Sequence, residues 1–295
     1  MNTIKHKIIN KIKDDMNYEK KRGDLILPQG TFVFIQDGAS GQVQVAVGPY
    51  KESLGEIDKL VTYDERTRKY VEANDLDDAI QVCPTADEGQ YIVLINPADV
   101  KSEKEPEHPF TKKTPNGPAL KMGSKINIPG PDTFGLYPGQ IGKVLDGHNL
   151  KYNEYLIVRV YNEEQAKKNI ENAIVKLNEE DEKENKPLFS KEELVTGKLL
   201  VIKGTDVSFY IPPTGIEVLT ENGSYVRKAV TLERLEYCIL LDQNGGKRYV
   251  KGPAVVFPKP TEEFMEDNGK KKFKAIELND NMGIYIKVIA DYKEN

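Results

Sequence analysis

Tryptophan is absent from the 295 residues, and cysteine occurs only twice, as Cys83 and Cys238. Neither cysteine has a second Cys or a His at metal-ligand spacing. This excludes the common thiolate metal sites and leaves no material for a disulfide framework. Each opens an apolar, strand-like run, the usual setting of a buried free thiol. Long hydrophobic runs are missing too, since nothing approaches the ~20 apolar residues of a membrane-spanning helix. The first residues lack the apolar core and cleavage site of a secretory signal. The expected location is therefore the cytoplasm, or a ribonucleoprotein-like or virus-like particle. Nor is there an excess of positive charge: 42 Lys and Arg face 47 Asp and Glu, for a formal net charge of −5. A concentrated basic surface, and with it nucleic-acid binding, is excluded.

Internal repetition is what the sequence does have. Aromatic-led apolar runs recur as "FVFIQD" from Phe32, "YIVLINP" from Tyr91, "YLIVRVYN" from Tyr155, "YCILLDQN" from Tyr237 and "YIKVIAD" from Tyr285. Each reads as a strand ending in turn chemistry. Alternating runs follow the first four: "QVQVAVGP" to Pro49, "KINIPGP" to Pro131, "KLLVIKG" to Gly204 and "KRYVKGP" to Pro253. Polar–apolar alternation marks a strand with one buried face, and Gly-Pro stops it, because Pro cannot donate a ladder hydrogen bond. Only Gly204 lacks the Pro, being followed by Thr205. The unit is thus strand, turn, returning strand, corner and more strand.

Two insertions fall between the leading and returning strands. Residues 99–125 are rich in Pro, Lys and Glu and read as a long, mobile surface loop. In residues 162–190, Ala166, Ile170, Ala173, Ile174 and Leu177 recur at helical spacing, which predicts a short amphipathic helix. At the N-terminus, Ile4, Ile8 and Ile12 fall on one side of a Lys-rich segment. That is an amphipathic helical arm suited to docking on its own protein or on a neighbouring copy, with adsorption of residues 1–15 to a membrane surface the weaker reading.

"LPQGTFVFIQDGASGQVQVAVGP" from Leu27, "FGLYPGQIGKVLDG" from Phe134, "VTGKLLVIKGTDVSFYIPP" from Val195 and "YCILLDQNGGKRYVKGP" from Tyr237 resemble the repeats of the major vault protein family. That family's subunits stand side by side as staves of a hollow shell. The resemblance spans roughly residues 23–161 and 194–295 and implies a line of small antiparallel β modules packed end to end. This chain is short relative to the family, with four units and the start of a fifth, so closing a shell cap unaided is not implied.

The expected fold is mainly β: tandem small antiparallel sheet modules stacked end to end, with an N-terminal amphipathic helix and one helical insertion. The divisions are an arm over 1–22, repeats over 23–80, 81–149, 150–228 and 229–278, and a partial fifth repeat over 279–295. A unit of ~50 residues buries too little surface to stand alone, so units must stack. The strand from Gly283 has no return strand after it, which leaves an edge that invites another chain.

Chemistry is sparse. His6, His108 and His148 sit in the arm, the long loop and a Gly-flanked turn, with no spaced carboxylate or Cys beside them. "DGASG" from Asp37 and "DQNGG" from Asp242 lack the ligand string of a calcium loop and read as hairpin turns. "GKKKFK" from Gly269 reads as a solubilising turn. No nucleophile motif appears. The expectation is therefore no enzyme, cofactor or metal. Instead, a structural protein should self-associate into a ring, tube or shell, with Ile4, Ile8, Ile12, Tyr285, Ile286 and Val288 as its assembly residues. The alternative is a monomeric adaptor that holds a protein partner through residues 99–125 and 162–190; a hydrolase built from scattered carboxylates is a third, weaker reading.

Overall fold

The computed structural model describes residues 24–64, 66–67, 69–100, 107–109, 112–114, 118–177 and 188–287. Within them the chain is mainly β, in many small antiparallel sheets. Four units follow one another on a single plan. An opening strand (Asp24–Leu27, Thr85–Ala86, His148–Asn149, Val230–Leu232) passes through a tight turn into a leading strand (Thr31–Gln36, Gln90–Ile95, Glu154–Val160, Glu236–Asp242). A return strand follows (Val43–Val47, Lys125–Pro129, Leu199–Lys203, Lys247–Lys251). Beyond a corner, a fourth segment runs back beside the opening strand (Tyr50–Ser53, Asp132–Thr133, Val207–Ile211, Ala254–Val256). A third ladder strand (Lys59–Asp64, Ile141–Asp146, Ile216–Val218, Glu262–Phe264) then covers the other side of the leading strand.

Register shows that the units are equivalent. Phe32, Tyr91, Tyr155 and Tyr237 stand opposite Val47, Pro129, Lys203 and Lys251, in each case the residue before the corner glycine. Those glycines, Gly48, Gly130, Gly204 and Gly252, donate their N–H to the first carbonyl of the leading strand at 2.8, 2.8, 2.7 and 2.8 Å. A Cβ at any of the four would overlap a carbonyl of the preceding turn, that of Pro28, Asp87, Lys151 or Glu233. The close approach, rather than the following proline, is the shared requirement, and so Gly204 persists before Thr205. The other three corners are cis Gly–Pro bonds.

The turn before each leading strand is clipped by that strand's first side chain. Gln90 Oε1 accepts from the Asp87 N–H at 3.0 Å, Glu154 Oε2 from Lys151 at 2.9 Å and Glu236 Oε2 from Glu233 at 2.8 Å. In unit 1 the turn residue is Pro28, which has no N–H, and Thr31 Oγ1 instead donates to its carbonyl at 2.8 Å. Alternate leading-strand residues then enter each core: Val33 and Ile35, Ile92 and Leu94, Leu156 and Val158, Cys238 and Leu240. Each such Val, Leu or Ile contributes on the order of 1.5–3 kcal/mol of burial.

Both insertions differ from their sequence reading. The helix spans only Glu163–Asn169, capped by Asn162 and followed by a single 3-10 turn over Ile170–Asn172. Ile174–Leu177 is a strand that adds to Val207–Ile211, so Ala173, Ile174 and Leu177 do not continue the helix. Ladder hydrogen bonds to a waiting edge outweigh the helical spacing in this β-branched stretch. The Pro-rich insertion is not simply a free loop either. Lys112–Thr114 adds to the return strand of unit 1, and His108 is buried, stacked on Phe134 at 3.6 Å.

Near the other end, Gly269 belongs to a two-residue Asn-Gly hairpin turn, with Asn268 and Gly269 at φ 50° and 76°. The basic run leads into Phe273–Lys274, which pairs with the leading strand of unit 4. Residues 222–223 form the same turn in unit 3, at φ 50° and 81°, as the primed turn requires. The fifth leading strand is absent among the described residues: 283–287 lie outside any strand. The opening turn does recur there, with Met282 N–H on Asn279 O at 3.0 Å. The N-terminal arm falls outside the described residues.

Candidate functional site

What this architecture offers for function is a set of junctions and edges. At every junction the face bearing the leading-strand aromatic receives the next unit, but the chemistry changes each time. Between units 1 and 2 the contact is apolar. Phe32, Phe34, Val45 and Val47 are buried against Leu136 and Tyr137.

Between units 2 and 3 it is polar. Asn127 donates its backbone N–H to Thr214 Oγ1 at 2.9 Å and its side-chain amide to the carbonyls of Pro212, Pro213 and Ile216 at 3.0, 3.2 and 3.2 Å. Tyr161 donates to Lys125 O at 3.0 Å and accepts from the Gly215 N–H at 2.9 Å. Glu217 joins Lys125 of unit 2 to Arg159 of its own unit, whose Nε lies 2.8 Å away. Burial opposes ionisation of Glu217, yet the Lys125 and Arg159 hydrogen bonds prevail and hold its carboxyl below the ordinary range.

Between units 3 and 4 apolar packing returns, with Tyr155, Ile157 and Val201 against Val255 and Phe257. The matching face of unit 4 carries Tyr237, Ile239 and Tyr249, and Tyr249 is 61% exposed where the equivalent Val45 of unit 1 is 1% exposed. No next unit covers it among the described residues.

The outer edges of the return strands repeat this variation at one backbone position. Because the corner-glycine N–H bonds the leading strand, the first, third and fifth residues before each glycine point their backbone groups to the outer edge. Val45, Asn127, Val201 and Tyr249 all turn N–H and C=O away from the leading strand. In unit 1, Thr114 pairs with Val45. In unit 2, Thr214 Oγ1 takes the Asn127 N–H. In unit 4, the return strand pairs only with the leading strand among the described residues.

The His and Cys side chains with shifted pKa values lie buried in the units and their junctions. His148 is not in a free turn but buried in a strand at the junction of units 2 and 3. There it lies 3.4 Å from Tyr91 Oη and 4.9 Å, ring to ring, from Tyr225. Burial drives its pKa down to about 4, against partial opposition from Asp146. Burial likewise pushes Cys83 up to about 12 and raises Cys238, and both thiols are free and buried. Asp37 Oδ1 accepts from the N–H groups of Ala39 and Ser40, and Asp242 Oδ1 from those of Asn244 and Gly246. These carboxylates therefore close hairpin turns. Among the described residues no three His, Cys, Asp or Glu side chains gather at metal-binding range, and no helix is long and apolar enough to cross a membrane.

Of the residues expected to mediate assembly, Ile4, Ile8, Ile12 and Val288 lie outside the described residues. Tyr285 and Ile286 are exposed and touch none of the junctions above. Sequence reasoning missed Asn127, Glu217 and the edge position of Tyr249; counting alternate residues back from each corner glycine would have found the last. Neither a protein-family model nor a curated protein matches this chain.

Proposed function

We propose that this chain is a structural protein that self-associates side by side, as a stave does, into a ring, tube or shell. One observation carries the reading: four units on one backbone plan are joined through successive faces, and the lateral strand borders of the fourth are unpaired among the described residues. Stacked repeats of this kind provide an extended scaffold with laterally presented strand edges. The resemblance of the repeat motifs to those of vault staves agrees with it. So does the dispersal of titratable groups into turns and cores, where they serve folding.

The adaptor reading draws less support. The insertion that would hold a partner spends Lys112–Thr114 and His108 on contacts within its own chain. The N-terminal isoleucines and the segment from Gly283 would set the ends of the assembly, in the cytoplasm or within a particle.

Mass photometry of the 295-residue chain over a salt series tests the proposal. A discrete assembly of many copies is expected, weakening as salt rises. A 33.3 kDa monomer at every salt and protein concentration would overturn it.

A further inference from the structure

Each wall of the junction that unit 3 offers to unit 4 has a counterpart in unit 4 itself. Across the ladder Tyr155 faces Lys203 and Ile157 faces Val201, as Tyr237 faces Lys251 and Ile239 faces Tyr249. Leu219 N–H bonds Ile157 O at 2.9 Å, and Met265 N–H bonds Ile239 O at 2.8 Å. Ala229 N–H bonds Asn153 O and Ala275 N–H bonds Leu235 O, at 2.8 and 2.7 Å. In unit 3 this face is filled. Val255 and Phe257, alternate residues of an extended segment, pack on it. The Phe257 ring meets Tyr155 edge-on at 6.0 Å and lies under Lys203 Nζ at 5.8 Å.

In unit 4 the same face is open among the described residues. Tyr249 and Met265 are exposed, and Phe273 stands where Arg227 does, its ring 5.4 Å from Tyr237. Tyr237, Ile239, Tyr249, Met265 and Phe273 thus make one aromatic-rich apolar patch with Lys251 at its rim, of the kind that marks a binding surface. A second copy stacked end to end does not supply its cover. Counted from the corner glycines, Val255 and Phe257 correspond in unit 1 to Lys51 and Ser53, both exposed. That end brings a charge and a hydroxyl where a branched aliphatic side chain and a ring are needed.

We propose that the open face of unit 4 docks an extended segment of a partner protein that carries a branched aliphatic residue and, two positions on, an aromatic ring. The ring packs on Tyr237 beneath Lys251, as Phe257 packs on Tyr155 beneath Lys203, and gains edge-to-face and cation–π contacts. The aliphatic residue lies beside it on the apolar floor. This face is at the end of the stack, apart from the lateral borders of the self-association proposed above, and does not depend on that reading.

A fluorescent peptide of residues 252–260, the segment that fills the face of unit 3, is the probe. It is titrated with the full chain and read by anisotropy, with circular dichroism to check each variant's fold. Saturable binding of one peptide per chain is expected. Phe257→Ala in the peptide should weaken it at least about tenfold, and Tyr249→Asp in the full chain by about as much. Lys251→Ala, which removes only the cation, should weaken it about threefold. No saturable binding at about 1 mM chain, or equal binding by the Phe257→Ala peptide or the Tyr249→Asp chain, would overturn the proposal. Binding that appears only once residues 288–295 are removed would overturn it too, by giving the face to the chain's own end. Self-association that the peptide competes away would give the face to a second copy instead.

Discussion

Unit 1 and unit 4 share the three central strands of their sheets and differ in what lies beside them. In unit 1 the return strand is flanked by Lys112–Thr114 and the third strand by Lys69–Glu72. In unit 4 both borders end without a further strand among the described residues. The repeated plan thus generates two strand edges in every unit, and each unit disposes of them differently. Unit 1 recruits strands and unit 2 uses the Thr214 hydroxyl, whereas unit 4 presents charge. Charged side chains on an edge discourage indiscriminate pairing and still permit a partner of opposite sign.

The largest effect bears on what the two units have in common. Gly48→Ala and Gly252→Ala should each cost more than ~3 kcal/mol, because the new Cβ meets backbone that cannot yield. Urea unfolding of the two variants checks this. A markedly smaller cost at Gly252 would show that the corner of unit 4 is looser than its register implies.

The middle junction sharpens the contrast through pH. His148 has a folded pKa near 4 against an ordinary value of 6.5, so the unfolded chain binds more protons between those values. Stability is then fully present above pH 6.5 and falls as pH drops toward 4, by roughly 3 kcal/mol from this group. His148→Phe should flatten that slope in denaturant titrations at a series of pH values; an unchanged slope would place the loss elsewhere.

The edges themselves can be compared by amide hydrogen exchange. Thr114→Pro, which removes a donor from the cover of unit 1, should speed exchange at Val45 at least about tenfold while leaving Ala46, which faces the leading strand, unaltered. In the monomer, Tyr249 should already exchange at the faster rate. Equal protection at Val45 and Tyr249 would break the comparison. The smallest effect belongs to Glu217→Gln. It should cost below ~1 kcal/mol in thermal unfolding, since Lys125 and Arg159 keep contact with water.

The strands and their corners were legible in the sequence because alternation and Gly-Pro are local signals, set by pleat geometry and by a missing amide hydrogen. Location of the insertions at hairpin tips was legible for the same reason. What lay hidden depends on distant partners. Ile174 to Leu177 fits a helix by spacing and becomes a strand because Val207–Ile211 offers it an edge. Lys112–Thr114 carries no strand signal at all and is ordered by Val45 and Val47. His148 reads as a turn residue beside Gly147, and only Tyr91 of the preceding unit and Tyr225, far along its own unit, enclose it. Asn127 sits where Val45 and Val201 stand in neighbouring units, so its clamp on Thr214 is a substitution that local pattern cannot distinguish from strand polarity.

The cover over unit 1 has a consequence for biogenesis. A ribosome releases Val45 well before Thr114, so the first hairpin must wait with its flank open while the second unit is being made. Any second nascent chain nearby on the same message meets that flank first, and slowing of translation across residues 50–110 would lengthen the interval in which it can attach.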